Sequence, residues 1–443
     1  MNHAEVAAAS FDFQRARKAL LGWFQTNGRR FPWRDDPTPY RVWISEIMLQ
    51  QTTTQTVLGY FERFLARFPT VETLAAASEE ETLKYWEGLG YYRRARSLRA
   101  AAIEIVDRFD SQFPSKYADV LSLPGVGRYA AGAILSFGFD KRFPILEANT
   151  TRLHARLIGL LEETTTASAQ RLLWKFAEDW LPQESTRRAP GVYRRINGAL
   201  TDLGRLVCAP VEPRCDDCPL AKQCASNRLG LQEKVPVLKK KAEPIRRVDV
   251  ALLVFRADLE RATAVDEIDG KTPRAPSDVL LIRRPQNSLW AGLWDFPRFE
   301  VVDARFADAQ DFSADASLAE RLQFFLEEEV GAPPRDYRVG KTITTVRHSV
   351  TRYRVALRVC QLVGSATNLA PREERTLFDS LEQPEPSGVR GDLETRLRSE
   401  SFAARQAAES RWVPLASLPD FPLSSPGRRV ADWLAKNASK KFF

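Results

Sequence analysis

The sequence predicts a multidomain protein in which an all-α region is followed by an α+β region. Residues 8–228 carry apolar side chains at helical spacing, whereas residues 248–435 contain short β-branched runs that are typical of strands. Residues 229–247 are polar, basic and contain proline, as expected of a linker. At 443 residues the chain is long enough for two or three domains with sizeable cores.

Amphipathic helices account for most of the first region. The longest apolar stripe runs from Val42 to Phe68 and predicts one long buried helix. Two further runs, Ala95–Phe109 and Ser168–Leu181, have similar spacing and predict two more helices.

A glycine-containing turn, Leu123–Arg128, joins two helices predicted over Lys116–Ser122 and Tyr129–Phe137. Gly125 and Gly127 permit tight backbone geometry, and the free N–H groups that open the second helix can bind a phosphate oxygen. This pattern is typical of a helix-hairpin-helix, which holds the DNA backbone without reading sequence. An ordinary turn between packed helices is the alternative.

Four cysteines close the first region within seventeen residues, spaced C-x6-C-x2-C-x5-C: Cys208, Cys215, Cys218 and Cys224. Four thiolates suit either tetrahedral zinc or a [4Fe-4S] cluster. Zinc ribbons usually present two C-x2-C pairs, and only one is present here, so the pattern favours the cluster, in a structural role. The remaining cysteine, Cys360, leaves no disulfide framework, which indicates a reducing compartment.

The net charge of +8 is concentrated in the region that holds the cysteines. Residues 1–247 contain 37 Lys and Arg against 28 Asp and Glu, whereas residues 248–443 contain 28 against 29. A basic domain most often binds nucleic acid. The first ten residues lack the features of a signal peptide, and no apolar run approaches a membrane span. We therefore expect a soluble cytoplasmic protein, associated with the nucleoid.

The hairpin and the cysteines together resemble the helix-hairpin-helix superfamily of DNA glycosylases, whose iron-sulfur branch includes endonuclease III and the adenine glycosylases of the MutY type. The resemblance implies a [4Fe-4S] cofactor, a double-stranded DNA partner and a monomeric enzyme. Besides the hairpin and cysteines, its landmarks are Pro32-Trp33-Arg34, Ser45 to Thr52, Gly88 to Tyr92, and Phe143 to Asn149.

Residue 129 distinguishes the two types of enzyme within this resemblance. Endonuclease III-type enzymes carry a lysine there, whose amine forms the Schiff base needed for strand cleavage. This chain has Tyr129, which cannot form a Schiff base, and the neighbouring Arg128 stays charged at any relevant pH. The sequence therefore predicts a glycosylase without lyase activity.

Glu46 matches the catalytic acid of the MutY-type enzymes. Adenine is a poor leaving group unless it is protonated, and a carboxyl among Trp43, Ile47 and Leu49 can have its pKa raised enough to hold that proton. Arg34 is expected near the departing base or against Glu46. The alternative, a surface glutamate on a helix, is disfavoured by the matched stretch from Glu46 to Thr52.

A second carboxylate, Glu147, stands where the family usually has aspartate in an Asp-Gly-Asn context. Here the sequence reads Glu147-Ala148-Asn149, immediately before a helix expected over Asn149–Leu161. A carboxylate at a helix start should stay ionised and stabilise positive charge on the sugar. Glycoside hydrolases likewise use a pair of carboxyl groups, one as the proton donor and one as the anion. The resemblance implies that Tyr129 and Asn149 hold this carboxylate and the sugar in place.

Several residues are expected to contact DNA through the same resemblance. An enzyme that extrudes a base must fill the gap that the base leaves, and Gln51, Leu89 and Tyr91 match the family's wedge. The remaining DNA contacts are assigned to Thr52, Gly125, Gly127 and Arg128.

The second region resembles the Nudix-like domain of MutY-type enzymes, on the segments Leu289–Pro297 and Trp412–Pro414. A Nudix hydrolase needs a carboxylate box to hold magnesium. Alignment on Gly331 keeps Glu328 and Glu329 but places Phe324, Phe325, Ala316 and Gln310 at the other box positions, which predicts a recognition domain without hydrolase activity.

Within that domain, Val350-Thr351-Arg352 matches the loop that senses 8-oxoguanine opposite the adenine. Thr351 preserves a hydroxyl, whereas Val350 and Arg352 depart from the family's Phe-Ser-His. An ordinary edge strand is the alternative for this segment. Residues 364–411 are rich in charge, Pro, Ser and Ala and are expected to form a surface insertion.

The sequence therefore predicts a MutY-type adenine DNA glycosylase that acts on adenine opposite 8-oxoguanine or guanine. Three alternatives remain. An endonuclease III-like glycosylase/lyase is disfavoured by Tyr129, and a nucleotide pyrophosphatase is disfavoured by the broken carboxylate box. A non-catalytic iron-sulfur DNA-binding protein is suggested only by Glu147.

Overall fold

A computed structural model describes residues 3–186, 189–239, 242–256, 278–285, 288–301, 308–312, 314–330, 336–365 and 409–437. The chain divides into two compact units: the first comprises Met1–Leu89 and Arg93–Lys241, and the second comprises Ala242–Phe443 together with Gly90–Tyr92. The first unit is built from helices and the second contains two β-sheets, so the predicted order of an all-α and an α+β region is confirmed. Among the described residues, none of the helices combines the length and apolarity needed to cross a bilayer.

The helices of the first unit are α1 (His3–Ala9), α2 (Phe13–Asn27), α3 (Pro32–Asp35), α4 (Pro39–Leu49), α5 (Thr54–Arg67), α6 (Val71–Ala76), α7 (Glu79–Trp86), α8 (Arg93–Phe109), α9 (Tyr117–Ser122), α10 (Arg128–Ala133), α11 (Ala148–Ile158), α12 (Ala167–Asp179), α13 (Val192–Leu206) and α14 (Ala225–Leu229). The predicted helix at 149–161 begins one residue earlier and ends three residues earlier than expected. The second hairpin helix, α10, continues into a π-helical turn, Ile134–Gly138.

The prediction of one helix over Val42–Phe68 is wrong. The chain breaks between α4 and α5, where Gln51 adopts a φ of +57°. The hydroxyl of Thr53 then caps α5 by accepting a hydrogen bond from the backbone N–H of Thr56 at 3.3 Å. The apolar spacing continues across the break because α4 is buried over seven consecutive residues, Val42–Met48, and α5 then buries Val57, Phe61 and Phe64.

The predicted hairpin between α9 and α10 is confirmed. Gly125 has a φ of +77°, and a Cβ there would lie 2.6 Å from the Cβ of Ser97. Only glycine meets both constraints. Gly204 has a similar packing role on α13, because a Cβ there would lie 2.7 Å from the carbonyl oxygen of Asn149. This close approach fixes the first turn of α11.

The segment predicted as a linker lies partly against the first unit. Val235 is 1% exposed and belongs to the core formed mainly by α2, α11, α12 and α13. Thr164 donates a backbone hydrogen bond to the carbonyl of Val237 at 3.2 Å. The chain therefore follows the helical unit at least as far as residue 237.

The second unit contains β1 (Ile245–Leu253), β2 (Asp278–Arg283), β3 (Trp294–Asp295), β4 (Arg298–Glu300), β5 (Asp336–Val350), β6 (Tyr353–Ser365), β7 (Ser410–Pro414), α15 (Ala316–Phe324) and α16 (Ser425–Asn437). The sheet orders are β4-β1-β6-β5, in which β1 and β6 run parallel, and β3-β2-β7, which is antiparallel.

Successive side chains of a strand point to opposite faces of the sheet, and in this unit the two faces pack into two separate hydrophobic clusters. On β1, Val250 and Leu252 pack in one hydrophobic cluster with α15, whereas Ala251 and Leu253 pack in another with α16. Strand β5 was not predicted, and most of the insertion expected at 364–411 lies outside the described residues.

Candidate active site

A cavity of about 930 Å³ opens in the first unit and collects all of the residues predicted to be catalytic and two of the predicted DNA contacts. Its walls come from α2, α3, α4, α10, α11 and α13 and from the break between α4 and α5. The predicted residues in its lining are Arg34, Glu46, Gln51, Thr52, Tyr129, Glu147 and Asn149. The fold therefore brings together segments separated by about a hundred residues of sequence.

Glu46 lies near the end of α4 and is 6% exposed. Its Oε2 atom accepts a hydrogen bond from the hydroxyl of Tyr129 at 2.7 Å. Burial raises the pKa of Glu46 to about 7, although the Tyr129 hydrogen bond and the charge of Arg34 both lower it. A carboxyl with this pKa holds a proton near neutral pH and can donate it.

Tyr129 is held on the hairpin helix α10 and serves Glu46, not Glu147. The expectation that its hydroxyl would hold the second carboxylate is wrong, because its hydrogen bond goes to the acid. Burial, followed by the negative charge of Glu46, raises the pKa of Tyr129 well above its ordinary value of 10. The phenol therefore stays protonated and remains a donor.

Glu147 caps the start of α11. Its Oε1 accepts from the backbone N–H of Thr150 at 2.9 Å, and its Oε2 accepts from the backbone N–H of Asn149 at 2.8 Å. The side-chain amide of Asn149 adds a third bond at 3.1 Å, as expected for a residue that holds this carboxylate. Burial nevertheless raises the pKa of Glu147, so the helix-end bonds oppose the effect of burial without cancelling it.

One arginine connects this helix start to the cysteine segment. Arg152 donates to the side-chain oxygen of Asn149 at 3.0 Å and to the carbonyl of Cys208 at 2.8 Å. It also donates to the carbonyl of Gly204 at 2.6 Å. The residues beside the second carboxylate and the first cysteine are therefore fixed by the same side chain.

Arg34 lies in the cavity wall but does not hydrogen-bond Glu46. Its guanidinium forms a two-point contact with Asp202 of α13, with distances of 2.7 and 3.0 Å. Asp202 is 2% exposed and was missed by the sequence analysis. The available signal was a carboxylate on the buried face of an amphipathic helix, next to Leu203.

The expected wedge residues differ in accessibility. Tyr91 is 57% exposed and Gln51 is exposed, whereas Leu89 is 6% exposed and does not project from the surface. Arg94 ties the two segments together, because its guanidinium donates to the carbonyls of Met48, at 2.9 Å, and Leu89, at 3.2 Å. The same group donates to the hydroxyl of Thr52 at 3.2 Å, which holds a predicted DNA contact in place.

At the hairpin, Arg128 is fixed by stacking. Its guanidinium carbon lies 3.8 Å from the ring centre of Trp174 on α12. Gly127 immediately precedes α10 and Arg128 is its first residue, so both lie at the helix start, where the free N–H groups are expected to bind phosphate.

The four cysteines of the C-x6-C-x2-C-x5-C segment line one small cavity, and all are free thiols. Arg156, which is 3% exposed, donates to the sulfur of Cys208 at 3.4 Å. Burial raises the pKa of Cys218 to about 12 and that of Cys224 to about 11, so thiolates here require a compensating positive charge. Within the described ranges, no three His, Cys, Asp or Glu side chains are close enough to share a single metal ion.

The hydrolase positions of the second unit lack acidic groups where they are described. Ala316 and Phe324 lie in α15, and Phe325 packs edge-on against Phe299. The side chains of Glu328 and Glu329, and all of Gly331, lie outside the described residues.

The segment expected to read the opposite base forms the tip of a hairpin. Val350 pairs with Tyr353 across the end of β5 and β6, which leaves Thr351 and Arg352 as a two-residue turn. Both turn residues are exposed, and Thr351 has a φ of +50°. The edge-strand alternative therefore applies to Val350 alone.

Buried ion pairs support the base of this hairpin. Arg298 donates to Asp249 at 2.8 Å, and its other end lies 3.1 Å from a ring nitrogen of His348 on β5. Burial, followed by the charge of Arg298, lowers the pKa of His348 to about 4. A neutral imidazole can accept a hydrogen bond from the Arg298 guanidinium, which fixes the strand that leads to Thr351.

Comparison with known proteins gives two domain matches. Residues 44–179 match the HhH-GPD superfamily of base excision DNA repair proteins, and residues 274–433 match the NUDIX domain. Most of the predicted catalytic and DNA-contacting residues fall in the first range.

Three similar proteins are adenine DNA glycosylases. That of Buchnera aphidicola subsp. Schizaphis graminum (strain Sg) is 40% identical over 223 residues, which are 50% of this chain and 62% of that protein. That of Buchnera aphidicola subsp. Baizongia pistaciae (strain Bp) is 33% identical over 64% of this chain and 73% of its own length. The Homo sapiens protein is 30% identical over 63% of this chain and 57% of its own length.

Proposed function

The chain belongs to the adenine DNA glycosylase family, and on this premise we propose that it cleaves the N-glycosidic bond of adenine mispaired with 8-oxoguanine or guanine in duplex DNA. The observation that carries the proposal is Glu46, a buried carboxyl with a pKa of about 7 in the wall of a cavity that also contains Glu147. A nucleotide extruded from the duplex would enter this cavity.

Glu46 supplies the proton for base release. It transfers its proton to a ring nitrogen of adenine, and the bond from the sugar to the base breaks with its electron pair moving to the base. The sugar becomes cationic, and water adds to its anomeric carbon while one proton of that water passes to the Glu46 carboxylate, which restores the acid. Tyr129 keeps Glu46 oriented through the 2.7 Å hydrogen bond.

Glu147 stabilises the sugar cation as an anion. Its two backbone bonds fix the carboxylate before the reaction, so little reorganisation is needed when positive charge develops. Because no amine stands at position 129, the product is an abasic site with an intact strand.

The four free cysteines would hold a [4Fe-4S] cluster. Four thiols that line one cavity beside Arg156 suit a multi-iron group held by four thiolates. When bound, the cluster would cross-link the segment after α13 and take no part in bond cleavage. Because Arg152 bonds both this segment and Asn149, an ordered segment would keep Asn149 in a fixed position.

The second unit would read the base opposite the adenine. The exposed Thr351 hydroxyl at the hairpin tip can hydrogen-bond a modified base, and Arg352 can contact the backbone. We propose that the protein acts as a monomer on chromosomal DNA in the cytoplasm.

One assay tests the function. Purified protein is incubated with duplexes that carry a single adenine opposite 8-oxoguanine, guanine or thymine, and the products are resolved with and without alkali. We expect strand breaks only after alkali, and only with the two mispairs. Breaks without alkali would favour a lyase, and release of no adenine by an iron-containing preparation would favour a non-catalytic DNA-binding protein.

A further inference from the structure

Three arginines are arranged around one carboxylate in the wall of the active-site cavity. Arg34 occupies both oxygens of Asp202, and the backbone N–H of Arg29 donates to the same carboxylate at 2.9 Å. Arg205 lies one turn further along α13, and its guanidinium donates to the hydroxyl of Thr54. All of these residues line the cavity.

The positive charge of this group exceeds what the carboxylate can neutralise. Among the described residues, Arg34 has the only ion pair with Asp202, and neither Arg29 nor Arg205 has a carboxylate within ion-pair distance. The guanidinium of Arg29 lies 4.8 Å from the ring centre of Phe31. Arg205 has one hydrogen bond to a neutral hydroxyl, which leaves most of its five donors for a ligand.

The proposed reaction creates positive charge on the sugar, in a cavity whose wall already carries this excess of positive charge. A cation that forms on the sugar would be destabilised by nearby uncompensated guanidinium groups. Partial burial and the neighbouring charge of Arg29 already lower the pKa of Arg205, so an anion that enters the cavity would stabilise the free arginines.

The nucleotide brings that anion with it. A base that leaves the helix remains attached to its sugar, and the two flanking phosphates accompany it to the mouth of the cavity. Guanidinium groups bind phosphate oxygens through short, charge-assisted hydrogen bonds.

We propose that Arg205, assisted by Arg29, binds a phosphate that flanks the extruded adenine nucleotide and thereby neutralises the excess charge of the cavity wall. This inference rests on the proposed function, because it requires a nucleotide in the cavity. Thr54 orients Arg205 from the start of α5, and Asp202 holds Arg34 away from that phosphate.

A binding cycle tests this assignment. The duplexes contain 2′-fluoro-2′-deoxyadenosine opposite guanine, which resists cleavage. One duplex keeps all of its phosphates charged, and two others carry one uncharged methylphosphonate at the phosphate on the 5′ or the 3′ side of that nucleotide. Affinity is measured by fluorescence anisotropy for wild type, Arg205→Met and Arg205→Lys. Arg108→Met is the matched control, since it removes the same charge from a surface pair with Glu104 on α8.

We expect the methylphosphonate at one of the two positions to weaken wild-type binding about tenfold, and Arg205→Met to weaken binding of the fully charged duplex by a similar factor. The two losses should not add, and Arg205→Lys should recover part of the affinity. Arg108→Met should show the wild-type response to each methylphosphonate. Additive losses at both positions, or wild-type affinity in Arg205→Met, would overturn the assignment.

The outcome separates this inference from the function on which it rests. Wild type that releases adenine from an unmodified mispair but shows additive losses refutes the phosphate site alone. Wild type that releases no adenine refutes the proposed function, whatever the binding cycle shows.

Discussion

The hydroxyl of Tyr129 donates a 2.7 Å hydrogen bond to Glu46, across 83 residues of sequence. This contact joins the hairpin helix to the helix that carries the acid. The residue whose identity excludes a Schiff base therefore also influences the pKa of the carboxyl proposed as the acid. Its hydrogen bond lowers the pKa of Glu46, while burial raises it by more.

The first prediction concerns the pH dependence of base release. Because the protonated form of Glu46 is the donor and its pKa is about 7, the single-turnover rate should fall as pH rises through about 7. Glu46→Gln should abolish release but keep DNA affinity, since the change is nearly isosteric. Substantial activity in that variant would place the acid elsewhere.

The raised pKa of Glu46 also predicts how the stability of the folded protein changes with pH. The folded-state pKa of Glu46 lies above its ordinary value of 4.5, so its stabilising contribution is complete below about pH 4.5 and is lost as pH rises through about 7. Glu46→Gln should therefore become progressively more stable relative to wild type as the pH rises from about 4.5 to about 7, when both are compared by thermal unfolding. An equal pH response in the two proteins would contradict the raised pKa.

The second prediction is a shift produced by Tyr129→Phe. Removal of the hydroxyl leaves the ring packing in place but deletes the hydrogen bond that lowers the pKa of Glu46. The alkaline limb of the rate profile should move to higher pH, with a lower maximal rate because the acid is less well oriented. Tyr40→Phe is the control, since its hydroxyl bonds the carbonyl of Phe68 away from the acid. A profile identical to wild type would show that Tyr129 has no influence on the donor.

The third prediction concerns Glu147. Loss of an anion beside a developing cation should reduce the rate of Glu147→Gln on the order of a hundredfold or more. Glu147→Asp should keep substantial activity, because aspartate is also a good helix cap. Thermal unfolding of both variants separates the loss of the helix cap from the loss of catalysis. A decrease of about 1 kcal/mol in the free energy of unfolding cannot explain a hundredfold fall in rate while the protein remains folded. Full activity of Glu147→Gln would remove this residue from the mechanism.

Much of the active site could be predicted because its residues stand in short, recognisable segments. Glu46, Tyr129 and Glu147 each lie in such a segment, and the fold brings them to one cavity. Asp202 gave no comparable signal, since its partner Arg34 is 168 residues away. A contact of that range leaves no local pattern.

Two fold features escaped prediction for a different reason. The break at Gln51 is hidden because the apolar spacing continues across it. Strand β5 lies at the edge of its sheet, and its pairing register shifts between Val339 and Thr344, so the alternation of apolar and polar residues is interrupted. In both places tertiary packing, not local composition, decides the structure.

The fourth prediction concerns the cysteines. Protein purified without air should be straw-brown and contain iron and sulfide, and Cys215→Ser should lose both and bind DNA more weakly. Cys360→Ser is the matched control, because Cys360 is buried in β6 of the second unit and lies outside the cysteine cavity. Colourless wild type with one zinc per chain would contradict the cluster.

The last prediction concerns how the protein distinguishes 8-oxoguanine from guanine. The residues proposed for catalysis all lie in the first unit, and Val235 belongs to its core, so residues 1–241 should still release adenine. What this fragment should lose is the preference for 8-oxoguanine opposite the adenine. In the full chain, Thr351→Ala removes the hydroxyl and the γ-methyl group at an exposed turn, and a lost hydrogen bond of about 1–3 kcal/mol corresponds to a roughly tenfold or larger fall in that preference. Ser349→Ala is the control, since it removes an exposed hydroxyl from β5 two residues earlier. Single-turnover rates on both mispairs measure the ratio for all four proteins. An unchanged ratio in the fragment and in Thr351→Ala would show that the second unit does not read the opposite base.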